Sequence, residues 1–144
     1  MRLPVGRLHV VTDETLQTRF GHAELARLAA AGGADVVQFR EKRPWTTRVL
    51  VETGQAMAAA LAGSSTRLLV DDRVDVAAAL GVGAVHLGRD DLDVATARRL
   101  LGNDALIGGT ANSLEEAERV AAMDVDYLGV GRSMDRARPA GRRP

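Results

Sequence analysis

Strand-like and helix-like segments alternate strictly along the 144 residues, with short connections between them. The alternating units run to roughly 20–25 residues each, which suits a β/α barrel better than a nucleotide-binding open sheet. No Gly-x-Gly-x-x-Gly follows the first strand-like segment, so a dinucleotide fold is disfavoured. A weak internal echo agrees with this. Ala31-Gly32-Gly33-Ala34-Asp35-Val36-Val37 resembles Leu80-Gly81-Val82-Gly83-Ala84-Val85, and Asp126-Tyr127-Leu128-Gly129-Val130 repeats the theme. These observations predict an α/β fold with a parallel sheet and right-handed crossovers, of the TIM (β/α)8 type but incomplete, at about six β/α units.

Each element has its own signal. Leu8 to Thr12 reads as the first strand, followed by a helix over Ala23 to Ala31 with Leu25, Leu28 and Ala29 on one face. Val36 to Arg40 is the second strand. Past Pro44, Thr46 to Leu61 is helical, with Val49, Leu50, Thr53, Met57 and Leu61 spaced by three and four. Leu68 to Val70 is the third strand and Val74 to Leu80 a short helix. Ala84 to Leu87 is the fourth strand, and Val94 to Leu101 a helix closed by Gly102-Asn103. Leu106 to Gly109 is the fifth strand. Ser113 followed by Glu116 is a capping-box signature that opens a helix through Met123. Tyr127 to Val130 is the sixth strand. The periodicity then stops, so the domain reading is 1–131 for a partial barrel and 132–144 for an Arg-rich disordered tail.

Composition excludes several function classes. Formal net charge is zero, so no nucleic-acid partner is indicated. The tail carries five arginines against Asp135, which leaves the rest net negative. The absence of cysteine excludes disulfides and thiolate metal sites. No apolar run approaches the roughly 20 residues of a membrane span, and no signal-peptide core opens the chain. A soluble cytoplasmic protein with an Ala, Val and Leu core is expected.

Chemistry in parallel α/β folds collects where strands end. The second strand ends in Arg40-Glu41-Lys42, and Lys42 is the single lysine beside 18 arginines. Arg40 and Lys42 are two apart, so an extended backbone points both cations the same way, as a grip for a polyanion. The third strand ends in Asp71-Asp72 and the fourth in Arg89-Asp90-Asp91. Hard divalent cations take carboxylate oxygens, and Mg²⁺ commonly takes one or two with phosphates and water completing the shell. Asp72 and Asp91 could serve it, with Arg40 and Lys42 holding the same phosphates from the other side. The bland alternative makes Asp71-Asp72 and Asp90-Asp91 helix N-caps. His86 reads as a barrel-lining residue. Gly108-Gly109-Thr110 is either a small-residue turn or an anion cradle of N–H groups and a hydroxyl. Pro44 and Trp45 shape the loop after Lys42.

Six segments in order resemble the thiamine phosphate synthase family, within the group that also holds thiazole tautomerases. They are Leu8–Asp13, Val37–Lys42, Leu69–Asp75, Val85–Asp91, Ile107–Thr110 and Asp126–Gly131. The resemblance implies a transferase that joins hydroxymethylpyrimidine diphosphate to thiazole phosphate and releases diphosphate, with Mg²⁺ as cofactor. By position it implies that Gln38, Arg40, Lys42, Asp71 and Thr110 bind the pyrimidine diphosphate, with Lys42 and Arg40 assisting its departure, and that Asp72 and Asp91 ligate the metal. Asp71 stands where the family has Asn and Arg89 where it has Gln; Thr110 replaces Ser. After Gly131 the family continues with Pro and a Thr-rich, Lys-containing loop, where this chain reads Arg132-Ser133-Met134. A truncated or frame-shifted C-terminus is expected, with exposed apolar faces and either a marginal monomer or a homo-oligomer covering them. Two other readings stay open. One is a tautomerase-like member, although tautomerases use a histidine where this chain has Asn112. The other is a degenerate fragment that binds a phosphorylated ligand without turnover.

Overall fold

Short β-branched runs and longer Ala- and Leu-rich stretches sort into strands and helices as their periods require. The structure, a computed structural model, describes residues 1–131. The tail expected to be disordered lies outside the described residues. The elements are β1 (His9–Thr12), α1 (His22–Ala31), β2 (Val36–Phe39), α2 (Thr47–Leu61), β3 (Arg67–Asp71), α3 (Val74–Leu80), β4 (Ala84–Leu87), α4 (Val94–Leu101), β5 (Leu106–Ala111), α5 (Leu114–Ala121) and β6 (Tyr127–Val130). All six strands are parallel and pair in sequence order, so each helix carries the chain back for the next strand. No helix among the described residues is long and apolar enough to cross a membrane.

The register sorts side chains with period two. His9 pairs with Val36, Gln38 with Leu69, Asp71 with His86, His86 with Gly108, and Gly108 with Tyr127, so these residues share one face. The other face holds Val37, Phe39, Leu68, Val70, Val85, Leu87 and Ile107, all buried with Ala26, Leu50, Met57 and Ala97 of the helices. Each large side chain buried there contributes about 1.5–3 kcal/mol. The first face is concave. The His9 and Tyr127 rings, from the two outermost strands, meet edge-on with centroids 5.3 Å apart. The sheet is thus an arc of a barrel, with β1 and β6 as its free edges among the described residues, and Val130 is 63 % exposed on the second of them.

The N-terminal segment crosses beneath this arc. Arg2 pairs with Asp124 at 2.7 Å and Asp126 at 3.1 Å, just before β6. Val5 packs on Val36, Leu69, Ala84 and Leu106, while Asp35 Oδ2 accepts the Arg7 and Leu8 N–H groups at 2.9 and 2.8 Å. Gly6 has φ +83°, and a Cβ there would stand 2.8 Å from Asp35 Cβ, so the strap needs glycine at this point.

Two helix faces differ from the sequence expectation. On α1 the buried positions are His22 and Ala26, while Leu28 is exposed. On α2 the expected Leu50, Met57 and Leu61 are buried, but Gly54 joins them while Val49 is exposed. On α2 the small residue turns inward because a neighbouring side chain comes too close for a large one. Gly54 lies directly against the Leu80 side chain.

Gly108 and Gly109 are also strand rather than turn, since β5 runs on to Ala111. Their lack of side chains admits the Tyr127 ring on the concave side and Val120 on the other. Gly108→Ala places a methyl group inside that ring and is expected to cost about 1–3 kcal/mol in denaturant unfolding. Unchanged stability would contradict this placement of Tyr127.

Candidate active site

The C-terminal end of the arc gathers most of the charged residues that the sequence singles out. Lys42, three residues past β2, places its ammonium between two carboxylates at the end of β3, that of its last residue Asp71 and that of Asp72 just after it. Nζ is 3.1 Å from Asp71 Oδ2 and in close contact with Asp72 Oδ2. Asp72 has φ 65°, and the Arg73 N–H reaches the Asp71 carbonyl at 2.7 Å, so the chain makes a γ-turn centred on Asp72. Such a conformation costs of order 1–3 kcal/mol in a residue with a Cβ, and strain of this kind concentrates at functional sites. It also excludes the capping alternative, because the N-cap of α3 is Arg73. Asp93, whose side chain accepts the Thr96 N–H, is likewise the cap of α4, which leaves Asp90 and Asp91 free of that role.

Arg40 does not point with Lys42. β2 ends at Phe39, so strand alternation does not govern the residues beyond it. Arg40 turns toward β1 and pairs with Asp13, while Lys42 turns toward β3. Asp13 is a fixed partner. Its other oxygen accepts the Thr15 hydroxyl at 2.7 Å and the Thr15 and Leu16 N–H groups at 2.6 and 2.8 Å. These bonds, that of the Thr15 side chain foremost, hold its carboxyl far below the ordinary range.

Behind Lys42 lies a network that sequence reasoning missed. The Glu41 side chain is 2 % exposed. It accepts from Arg43 and, at 2.8 Å, from His22 Nε2. Arg43 reaches on to Glu14 at 3.0 Å and lies 4.2 Å over the Trp45 ring. His22 is buried, with Nδ1 2.7 Å from Thr12 Oγ1. The Arg43 side chain, then the His22 hydrogen bond, pull the Glu41 carboxyl down to about 2 against the effect of burial. A buried network of this kind leaves the β2–α2 loop few alternatives. The signal available was the charge density of Arg40-Glu41-Lys42-Arg43 beside one Trp. The partners Glu14 and His22 are distant in sequence and carry no motif.

On the concave face, Gln38 is largely buried, and its side-chain amide makes no hydrogen bond to the described residues, so it keeps both donor and acceptor for a ligand. Thr110 Oγ1 is 2.8 Å from His86 Nε2, and His86 Nδ1 is 3.0 Å from the Tyr127 hydroxyl. His86 therefore does line the arc. Asp91 Oδ2 accepts the Gly88 N–H at 2.7 Å, folding its loop back on itself. Asp91 and Thr110 border a cavity of about 400 Å³ that runs over Leu87 and Val120 between α4 and α5. That cavity flanks the charged cluster and does not include Lys42 or Arg40. The Gly109 and Thr110 backbone lies in the β5–β6 ladder, so the anion cradle of N–H groups does not form.

The arrangement offers cations and neutral donors to an anion, and carboxylates to a metal. Asp72 and Asp91 supply hard oxygens after adjacent strands, in the number Mg²⁺ commonly takes from protein. Among the described residues no three acidic or histidine side chains are grouped so as to hold a metal ion by themselves, so phosphate and water would complete such a shell.

Known proteins match over the same region. The family model described as thiamine monophosphate synthase matches residues 8–138. The thiamine-phosphate synthase of Salinibacter ruber is 46% identical over 127 residues, 88% of this chain and 56% of that protein. That of Agrobacterium fabrum is 43% identical over 125 residues, 87% of this chain and 56% of that protein. A solved structure of thiamine phosphate pyrophosphorylase from Pyrococcus furiosus superposes with a TM-score of 0.76 at 34% identity, covering 87% of this chain and 59% of that one. The chain spans a little over half the length of the curated relatives it matches.

The Glu41 network makes a pH prediction. The carboxylate is held charged in the folded chain, so its stabilisation is complete above the ordinary value of 4.5 and is lost as pH falls toward about 2. Glu41→Gln is expected to lower the denaturation midpoint at pH 7, with the gap to wild type closing between pH 4.5 and 2. A gap that stays constant over that range would show that Glu41 is not held ionised.

Proposed function

The chain belongs to the thiamine monophosphate synthase family, and we propose that its site joins hydroxymethylpyrimidine diphosphate to thiazole phosphate with release of diphosphate. The observation that carries this reading is the Lys42 ammonium seated between Asp71 and Asp72 at the mouth of the arc. An ammonium already paired with carboxylates of a mouth loop can exchange one of them for a phosphate oxygen at little desolvation cost.

In the reaction, the bond between the pyrimidine methylene carbon and the diphosphate oxygen breaks, and its electron pair leaves with diphosphate. The thiazole nitrogen lone pair then forms the new C–N bond. Negative charge develops on the leaving group, so cations fixed beforehand stabilise the transition state more than the ground state. Lys42 and Arg40 serve this from two sides, because they diverge toward β3 and β1. Thr110 gives a hydroxyl to the same oxygens. Gln38, with its unengaged amide, faces the pyrimidine. Asp71 accepts from the ring amine, its charge offset by Lys42. Asp72 and Asp91 would hold Mg²⁺, which supplies further positive charge to the diphosphate. The substrates are phosphorylated small molecules.

Titration calorimetry with hydroxymethylpyrimidine diphosphate tests the reading. Binding is expected to require Mg²⁺. Lys42→Gln should weaken it roughly 10- to 100-fold, as for loss of a charged hydrogen bond. Asp72→Asn should keep the fold, since Asn tolerates the left-handed conformation, and lose the Mg²⁺ dependence. Binding that ignores both Mg²⁺ and Lys42 would sink the reading.

A further inference from the structure

His86, Tyr127 and Thr110 come from three strands and meet on the concave face. In the register Gly108 lies between His86 and Tyr127, and Gly129 lies opposite Thr110. Both glycines clear space for this meeting. A Cβ at Gly108 would enter the Tyr127 ring, and one at Gly129 would stand 2.8 Å from His86 Cε1. The site thus gives up two side chains to bring one imidazole against a phenol on one nitrogen and a hydroxyl on the other.

The direction of the hydrogen bonds follows from what each group has available. The Tyr127 hydroxyl has His86 Nδ1 as its hydrogen-bond partner among the described residues, at 3.0 Å. If it accepted from Nδ1, its own proton would be left without an acceptor in a partly buried position, which is unfavourable. Donating avoids that cost. Burial, and then the charge of Asp71, hold the phenol proton on more tightly than usual. A neutral imidazole that accepts at Nδ1 must carry its proton at Nε2. Nε2 then donates to Thr110 Oγ1 across 2.8 Å. Thr110 has one acceptor lone pair occupied and its own proton unspent, and near the C-terminal end of β5 it borders the cavity between α4 and α5, which Tyr127 and His86 do not line.

We infer that Tyr127 and His86 are positioning residues which orient the Thr110 hydroxyl as a hydrogen-bond donor to an anionic oxygen, of phosphate or diphosphate, at the mouth of the arc. The ligand half of this inference rests on the function proposed above; the direction of the relay does not. A hydroxyl left to rotate could turn its lone pairs toward an anion, whereas one already accepting from Nε2–H presents its proton. The replacement of serine-type by threonine chemistry at 110 is immaterial to this, because both carry the same single proton.

The relay is read directly by ¹⁵N-detected NMR of the His86 ring in the wild-type chain at pH 7. Protonation at Nε2 alone is expected. Protonation at Nδ1 alone, or at both nitrogens, overturns the relay with no variant needed. Its consequence is read by calorimetry with inorganic diphosphate and Mg²⁺. Tyr127→Phe and Thr110→Ala should each weaken binding about 2- to 10-fold, as for one neutral hydrogen bond. The double variant should bind no worse than Thr110→Ala, and Thr110→Ser should bind like wild type. Independent, additive losses would mean that Tyr127 acts only on packing, and the inference fails. A wild-type chain with the expected tautomer that binds no diphosphate would instead refute the ligand assignment and the proposed function together.

Discussion

Everything at the mouth of this arc depends on an unbroken, in-register parallel ladder of six strands. Period two along each strand and fixed register between strands place every second residue on the concave face. Leu69, Asp71, His86, Gly108 and Tyr127 belong to four strands and more than fifty positions of sequence, yet share one face. A slip of one residue at any pairing would exchange them for Val70, Val85 and Ile107, moving charged groups into the helix-covered core. The apolar layer under the helices therefore guards the position of the polar groups above it.

The mouth is built by pairing each cation with an acid from a neighbouring strand end. Arg40 is held toward β1 by Asp13, and Lys42 toward β3 by Asp71 and Asp72. Glu41, between the two in sequence, turns inward and locks the loop through His22, Arg43 and Glu14. Three consecutive charged residues thus do three different things. The strained γ-turn at Asp72 fits the same design, since it brings two successive carboxylates to one ammonium where a relaxed strand would send them to opposite faces.

The architecture was legible in the sequence because it is periodic. Six apolar runs separated by amphipathic stretches allow few alternatives, and all six strands lie where the pattern puts them, with ends differing by at most two residues. The site was legible as an inventory of strand ends rather than as geometry. Lys42, Asp71 and Asp72 meet as two adjacent strand ends would suggest. The divergence of Arg40 was not legible, because it depends on β2 stopping one residue short of it. The roles of Gly108 and Gly129 were also hidden, since a glycine in a strand shows only that something comes close and not what. On α2 the periodicity locates Leu50, Met57 and Leu61 in the buried stripe but not Gly54, whose burial depends on the approach of Leu80, and on α1 it does not single out His22 and Ala26. The Glu41 network escaped because its members are joined only by folding.

Lys42 is the single lysine of the chain, which makes one measurement unusually direct. Acylation by an amine-directed reagent, followed by intact and peptide mass spectrometry, reports on Lys42 with the α-amino group as an internal reference. Adding hydroxymethylpyrimidine diphosphate with Mg²⁺ should slow acylation of Lys42 and leave the α-amino rate unchanged, because the ammonium becomes engaged by phosphate oxygens. If Lys42 reacts at the same rate with and without the diphosphate, the anion does not bind at this mouth, and the account of the site is wrong.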